Sequence, residues 1–307
     1  VNDSTYRNAK ALVDPQISAK SRVGVIAPAS PFDRKRFSDG LRIIANLGWE
    51  PIVPESIWLK KKYLAGHDTH RVEQLHQMFA DPSIDAIICA RGGFGALRLL
   101  PKIDFDMIAA NPKPFVGFSD ITVLLNLLCE RCQMTTFHGP MVTSLAGGAG
   151  ESAESLFQVL TGQPAEGIPF PTEKVISHGV ATAPIKGGNL TMLSHLAGTP
   201  YGPDFTGALV LLEDCNEELY RIDRKLTHLM LSRCLDDIAG ILLGDFTGCG
   251  SYEEVQELIR DLFGKRSIPI LSGIEAGHGP INRTIPLGRP VTLDSGTGFI
   301  SFDHVTR

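Results

Sequence analysis

Short apolar runs that alternate with stretches of helical spacing constrain this chain more than any other feature. Arg22–Ala27 (RVGVIA) and Ile84–Ala90 (IDAIICA) lack the polar and apolar alternation of a half-exposed strand. Such runs need cover on both faces, which is the situation of a strand inside a parallel sheet. Between them Phe37, Leu41, Ile44 and Ala45 share one helical face, and Gly48 ends that helix before a short strand at Pro51–Val53. Val72, Leu75 and Phe79 repeat the helical spacing over Arg71–Ala80. Phe115–Phe118 then reads as strand and Asp120–Cys129 (DITVLLNLLC) as a buried helix. This succession predicts an α/β fold with an amino-terminal open parallel sheet.

At Gln163–Thr172 (QPAEGIPFPT) three prolines and a glycine interrupt every period, which places a domain boundary there. The expected units are a polar leader at 1–22, an α/β domain at 23–165 and a smaller mixed β/α domain at 173–307. In the second unit Ala183–Asn189 (APIKGGN) reads as turn-rich and Ala208–Leu212 as strand, followed by a long helix at Glu217–Arg233. A strand at Ile238–Leu243, a helix at Tyr252–Phe263 and strands at Val291–Leu293 and Phe299–Phe302 complete it. A 307-residue chain with 43% hydrophobic residues has enough apolar side chains for two such cores.

The same composition excludes several classes of partner. A formal net charge of -5 and a single short basic run, Lys60–Lys62, give no footprint for nucleic acid. No stretch reaches the roughly 20 apolar residues of a membrane helix. Val1–Arg22 lacks the apolar core of a signal peptide, so export by that route is not expected. Six cysteines, several in apolar surroundings such as Cys89, fit reduced thiols in the cytoplasm. Cys129 and Cys132 form a C-x-x-C without a second pair, and coincidence is the favoured reading. His67 and His70 have no Glu-x-x-His pattern nearby, so a zinc protease motif is absent.

Chemistry concentrates at a few turns. Pro114–Asp120 (PFVGFSD) runs from an apolar strand through a tight turn into a helix. Ser119 therefore sits at the carboxyl edge of the sheet, where free N–H groups can stabilise an oxyanion. Ile121 replaces the last glycine of G-x-S-x-G, and the competing reading is a serine that merely caps the next helix. Arg91–Gly95 (RGGFG) follows the strand Ile84–Ala90 and offers backbone donors, either as one half of an oxyanion hole with the Asp120 N–H or as a plain connecting turn. A serine needs a base and the base an orienting acid. His278, flanked by Gly277 and Gly279, is the candidate base, and Glu213, ending an apolar strand, the candidate acid. His138 either lines a cleft beside the Ser119 helix or belongs to the core.

Taken in order, these segments resemble the LD-carboxypeptidase family, serine peptidases that trim terminal D-alanine from murein tetrapeptides during cell-wall recycling. The resemblance spans Arg22–Asp294 and rests on VGVIAPAS (23–30), RGGFGALRLL (91–100), FVGFSDITVLL (115–125) and FHGPM (137–141). It continues through GGNLTML (187–193), LLEDCNE (211–217), GILLGDF (240–246) and GHGP (277–280), then PLG at 286–288. It implies Ser119 as nucleophile, Glu213 as triad acid and His278 as base, without metal or cofactor. Backbone donors at Gly93 and Asp120 would form the oxyanion hole, with Gly92, His138, Lys186 and Asn189 as substrate contacts. It further implies a carboxyl-terminal swivelling β/α domain, a cleft between the domains, a homodimer, and murein tetrapeptide or related muropeptides as substrate. A histidine base of ordinary pKa predicts an activity midpoint at about pH 6–7. Two alternatives stand beside this. An immunity-type peptidase acting on peptidyl-nucleotide antibiotics would use a tryptophan platform in the second domain, whereas Trp49 and Trp58 both lie in the first half. A non-enzymatic two-domain binding protein would also use such a cleft.

Overall fold

A computed structural model of the chain describes residues 16–18, 20–148, 150–163 and 167–302. Most of the polar leader and part of the proline-rich boundary lie outside the described residues. The first half runs β1 (Arg22–Ile26), α1 (Arg34–Asn46), β2 (Glu50–Ile52), α2 (Asp68–Ala80), β3 (Ala86–Cys89), α3 (Phe105–Ala110), β4 (Phe115–Gly117), α4 (Thr122–Cys132), β5 (Thr136–His138), α5 (Val142–Leu145) and α6 (Gly150–Leu160). The second half continues with β6 (Ile168–Pro169), β7 (Val175–Ser177), β8 (Val180–Asn189), α7 (Leu190–Leu196), β9 (Leu209–Cys215), α8 (Leu219–Leu231), β10 (Gly240–Thr247), α9 (Tyr252–Phe263), β11 (Ile270–Ser272), β12 (Ile285–Leu287), β13 (Pro290–Asp294) and β14 (Phe299–Phe302).

Two sheets organise these elements. The first has the order β12-β5-β4-β3-β1-β2, parallel throughout except for β12, which returns from the second half to pair antiparallel with β5. The second has the order β6-β14-β13-β8-β9-β10-β11-β7, with β8 to β11 parallel at its centre. Central strands are sealed on both faces: every residue of β3 is buried, and so are all of Leu209–Asp214 in β9. That explains their unbroken apolar sequences.

The helix α4 lies between the sheets, and nine of its eleven residues are buried, so it has no solvent face to reveal as amphipathic spacing. Asn126 on α4 bonds both the N–H and the carbonyl of Gly187, and the Thr122 hydroxyl accepts the Asn189 N–H. These contacts correct the turn expected at Ala183–Asn189, which is the last part of the ten-residue strand β8. Its glycines serve close approach instead: a Cβ at Gly187 would stand 2.3 Å from the Leu211 carbonyl oxygen of β9. The Ser119 segment also differs in detail, since a 3₁₀ turn at Ser119–Ile121 precedes α4. The helix at Tyr252–Phe263 has the expected bounds, with Ser251 and Glu254 forming a capping box.

Candidate active site

The site is assembled where loops leave the carboxyl ends of parallel strands, the place where open α/β sheets bind ligands. Ser119 follows β4 and holds φ at +62°, a left-handed conformation that a serine adopts only under constraint. The constraint is packing beneath the turn, where Gly117 leaves room for Ile121, whose methyl would stand 2.6 Å from a Cβ there. The result is a sharp elbow that presents the side chain. Helix capping is not the role of Ser119, because its Oγ lies 3.2 Å from Nε2 of His278 and no side-chain cap bond forms at this turn.

His278 reaches the elbow from the loop after β11, and its Nδ1 lies 2.7 Å from Glu213 Oε2. Glu213 is wholly buried within β9, and its Oε1 has no hydrogen-bond partner among the described residues. The pairing depends on Gly277, which has φ +116° and would place a Cβ 2.4 Å from Glu213 Oε2. Phe118 braces the imidazole edge to face at 4.9 Å between centroids, and Asp245 at the end of β10 accepts the Gly279 N–H. Burial pushes the Asp245 carboxyl up to about 6. For His278, burial draws the pKa down, but the Cys215 thiol and the Glu213 carboxylate oppose it and prevail, raising it to about 10. This departs from the ordinary imidazole value expected from sequence. The reason is the buried acid and the thiol two residues further along the same strand, neither of which a lone G-H-G motif reveals.

The glycine loop after β3 closes the other side. A Cβ on Gly92 would lie 3.1 Å from Ser119 Oγ and 3.4 Å from the Asp120 nitrogen, so the loop backbone abuts the nucleophile. The N–H groups of Gly93 and Asp120 have no acceptor within the chain among the described residues, which leaves them available to a ligand. Asp120 itself is buried and accepts the Ala96 N–H, locking loop to elbow, and burial raises its pKa to about 6. Arg71, fully buried on α2, donates to the carbonyls of Pro28 and Gly95 and pairs with Asp68. Neither Arg71 nor Asp245 emerges from sequence as a site residue. The available signal was a charged residue, Arg71, placed next to Val72 on the apolar face of a helix.

The side chains of the other three expected substrate contacts are buried or bonded within the chain. His138 has no exposed surface: it packs 5.9 Å from the Phe118 ring beneath the elbow, and burial together with the charge of His278 lowers its pKa to about 3. It is a neutral core histidine. Asn189 caps α7 through Oδ1 and donates through Nδ2 to Asp214, so its polar atoms are committed internally. Lys186 donates to the Asp204 carbonyl at 2.6 Å, and its charge acts on Cys129 and Glu130 at the far end of α4 from Ser119. Only Gly92 of that group is at the nucleophile. Among the described residues, no group of three or more His, Cys, Asp or Glu is placed to hold a metal ion, and no helix is long and apolar enough to cross a membrane.

Two family models match the chain. Residues 23–139 match the model of the LD-carboxypeptidase N-terminal domain, and residues 182–293 that of the LD-carboxypeptidase C-terminal domain. A probable murein peptide carboxypeptidase of Bacillus subtilis is 36% identical over 89% of this chain and 88% of its own length. A murein tetrapeptide carboxypeptidase of Pseudomonas aeruginosa is 34% identical over 89% of this chain and 93% of its own. Among solved structures, an MccF-like protein from Bacillus anthracis superposes with a TM-score of 0.85 at 26% identity, covering 95% of this chain and 98% of that one.

Proposed function

The chain belongs to the LD-carboxypeptidase family, and from that membership we propose that it is a serine carboxypeptidase releasing the terminal D-alanine of murein tetrapeptides. The observation that carries the reading is the continuous relay from Ser119 Oγ through His278 to Glu213, at 3.2 and 2.7 Å, mounted on a strained elbow. The murein substrate is supported by two relatives named for it, each about one third identical over nearly nine tenths of the chain.

Ser119 Oγ attacks the carbonyl carbon of the bond joining the L-centre of the diamino acid to D-alanine, and His278 Nε2 takes the hydroxyl proton. The Gly93 and Asp120 N–H groups meet the oxyanion. The imidazolium then gives its proton to the departing amine of D-alanine, leaving an ester on Ser119. Water, deprotonated by the same imidazole, cleaves that ester, releases the tripeptide and restores the serine. Glu213 fixes the imidazole tautomer and balances its charge without being protonated. Incubation with a muropeptide mixture, read by mass spectrometry, tests the reading: tripeptide and free D-alanine are expected. Cleavage of a peptidyl-nucleotide alone would favour the immunity-type activity, and no cleavage of either a binding protein.

The raised pKa of His278 gives a second expected result. Imidazolium cannot accept the Ser119 proton, so kcat/KM should climb with pH along an acid limb lying well above neutrality, toward about 10. Cys215→Ala removes one of the groups that hold the proton on the ring, and should shift that limb downward. A limb near 6.5 in both proteins would show that the thiol and the buried acid leave the base unperturbed.

A further inference from the structure

The loops beside the oxyanion turn enclose a cleft of about 470 Å³, lined by Pro31, Phe32, Arg34, Ile57, Trp58, Leu59, Lys60 and Arg91. Three of the eight are cationic and none is acidic. Asp33 is adjacent in sequence but turns its carboxylate to the Arg36 N–H at the start of α1. None of the three cations has an ion pair among the described residues. Arg34 lies over the Trp58 ring at 4.4 Å, and Arg91 donates to the Pro31 carbonyl at 2.9 Å. The floor is firm: Trp58 packs against Phe32 and Phe37 at 5.5 and 5.1 Å between centroids, and Phe37 is fully buried. A fixed aromatic floor beneath an uncompensated cluster of guanidinium and ammonium groups suits a carboxylate carried on a peptide.

The position matters as much as the charge. Arg91 immediately precedes Gly92, whose backbone abuts Ser119, and Ser30, next to Pro31, accepts the Phe94 N–H of the same glycine loop. The cleft and the nucleophile therefore share one wall. An extended peptide advances ~3.5 Å per residue, so one with its scissile carbonyl at Ser119 meets the wall that Arg91 and Gly92 share within a few residues. We propose that Arg34, Lys60 and Arg91 form an acidic-peptide subsite that binds a free carboxylate on the acyl part of the substrate, two or more residues from the cleaved bond. The subsite rests on the carboxypeptidase reading and specifies what that reading leaves open, which is how the body of the substrate is held.

The test uses two synthetic tetrapeptides ending in D-alanine, one with a free carboxylate in its acyl part and one with that carboxylate amidated. The Arg34→Gln/Lys60→Gln double variant should raise KM for the acidic peptide about 10-fold or more, as expected for lost charge-assisted bonds, with kcat within about twofold. For the amidated peptide, the variant and the unaltered protein should have the same KM. Equal losses on both peptides, or no loss on either, would overturn the subsite. Binding is measured in parallel by calorimetry with Ser119→Ala protein, with and without the double change. Preference for the acidic peptide should vanish with the two cations, and failure of the single Ser119→Ala protein to prefer that peptide overturns the subsite independently of turnover. Absence of D-alanine release from both peptides would overturn the carboxypeptidase reading instead.

Discussion

Ser119→Ala is expected to lower kcat for D-alanine release by about 10⁴- to 10⁶-fold, the range seen when a serine hydrolase loses its nucleophile, while the protein keeps its fold. The loss is large because, among the described residues, no other hydroxyl bonds His278 Nε2. Residual turnover would come from the oxyanion donors and from binding alone. Stability should hardly change, since the substitution removes one partly exposed hydroxyl and retains the backbone at φ +62°. Ser119→Gly sharpens the point: glycine occupies that region without steric cost, so it should be equally inactive yet more stable than the alanine form by about 1 kcal/mol. Release of D-alanine and thermal melting of the three proteins decide the matter. An alanine variant with more than a few per cent of the original activity would remove Ser119 from the mechanism.

The elements legible in the sequence are those whose local pattern and tertiary role coincide. The strands β1, β3 and β4 announce themselves because burial on both faces demands unbroken apolar runs, and α9 because one face is wet and its start carries a capping box. β8 was not legible. Its Gly187–Gly188 pair reads as a turn, but the residues exist for contact with Leu211 on one side and with Thr122 and His138 on the other, a demand set by partners far away in sequence. The same limit applies to site residues. Ser119 and His278 sit at a strand-to-helix turn and in a glycine-flanked loop, positions that suggest access to a cleft, and Glu213 is legible as a carboxylate that closes an apolar run although β9 continues past it to Cys215. Asn189 and Lys186 stand beside the Gly187–Gly188 pair, which suggests a ligand turn, yet their side chains serve a helix cap and a carbonyl of the second half. Arg71 offers only a charge on an apolar helix face as its signal, because besides Asp68 it serves backbone carbonyls, which leave no trace in side-chain patterns.

Glu213→Gln should reduce kcat by about 10³- to 10⁴-fold, comparable to loss of charge at the acid of other triads, and should lower stability at neutral pH as well. Glutamine fills the same space, so the close fit against Gly277 and Gly244 is retained. What disappears is the charge that neutralises the imidazolium formed as Ser119 attacks. Orientation suffers as well, because Oε1 of Glu213 has no partner among the described residues to fix which end of an amide faces His278. An amide N–H turned toward Nδ1 would hold the ring in the wrong tautomer. The acid limb of kcat/KM should also fall, since a group that raises the His278 pKa is gone. Cys215→Ala should lower that limb too but retain most of kcat, which separates a group that shifts the proton from one that also orients the ring. Stability should fall as well, because at pH 7 the raised His278 pKa makes this contact an imidazolium–carboxylate pair with a wholly buried acid, and removing the acid leaves the imidazolium without its counter-charge. Urea unfolding near pH 7 alongside the pH profile measures both effects: an inactive variant as stable as the unaltered protein would mean that the pair is not charged at that pH, and a variant with near-full kcat that His278 needs no acid.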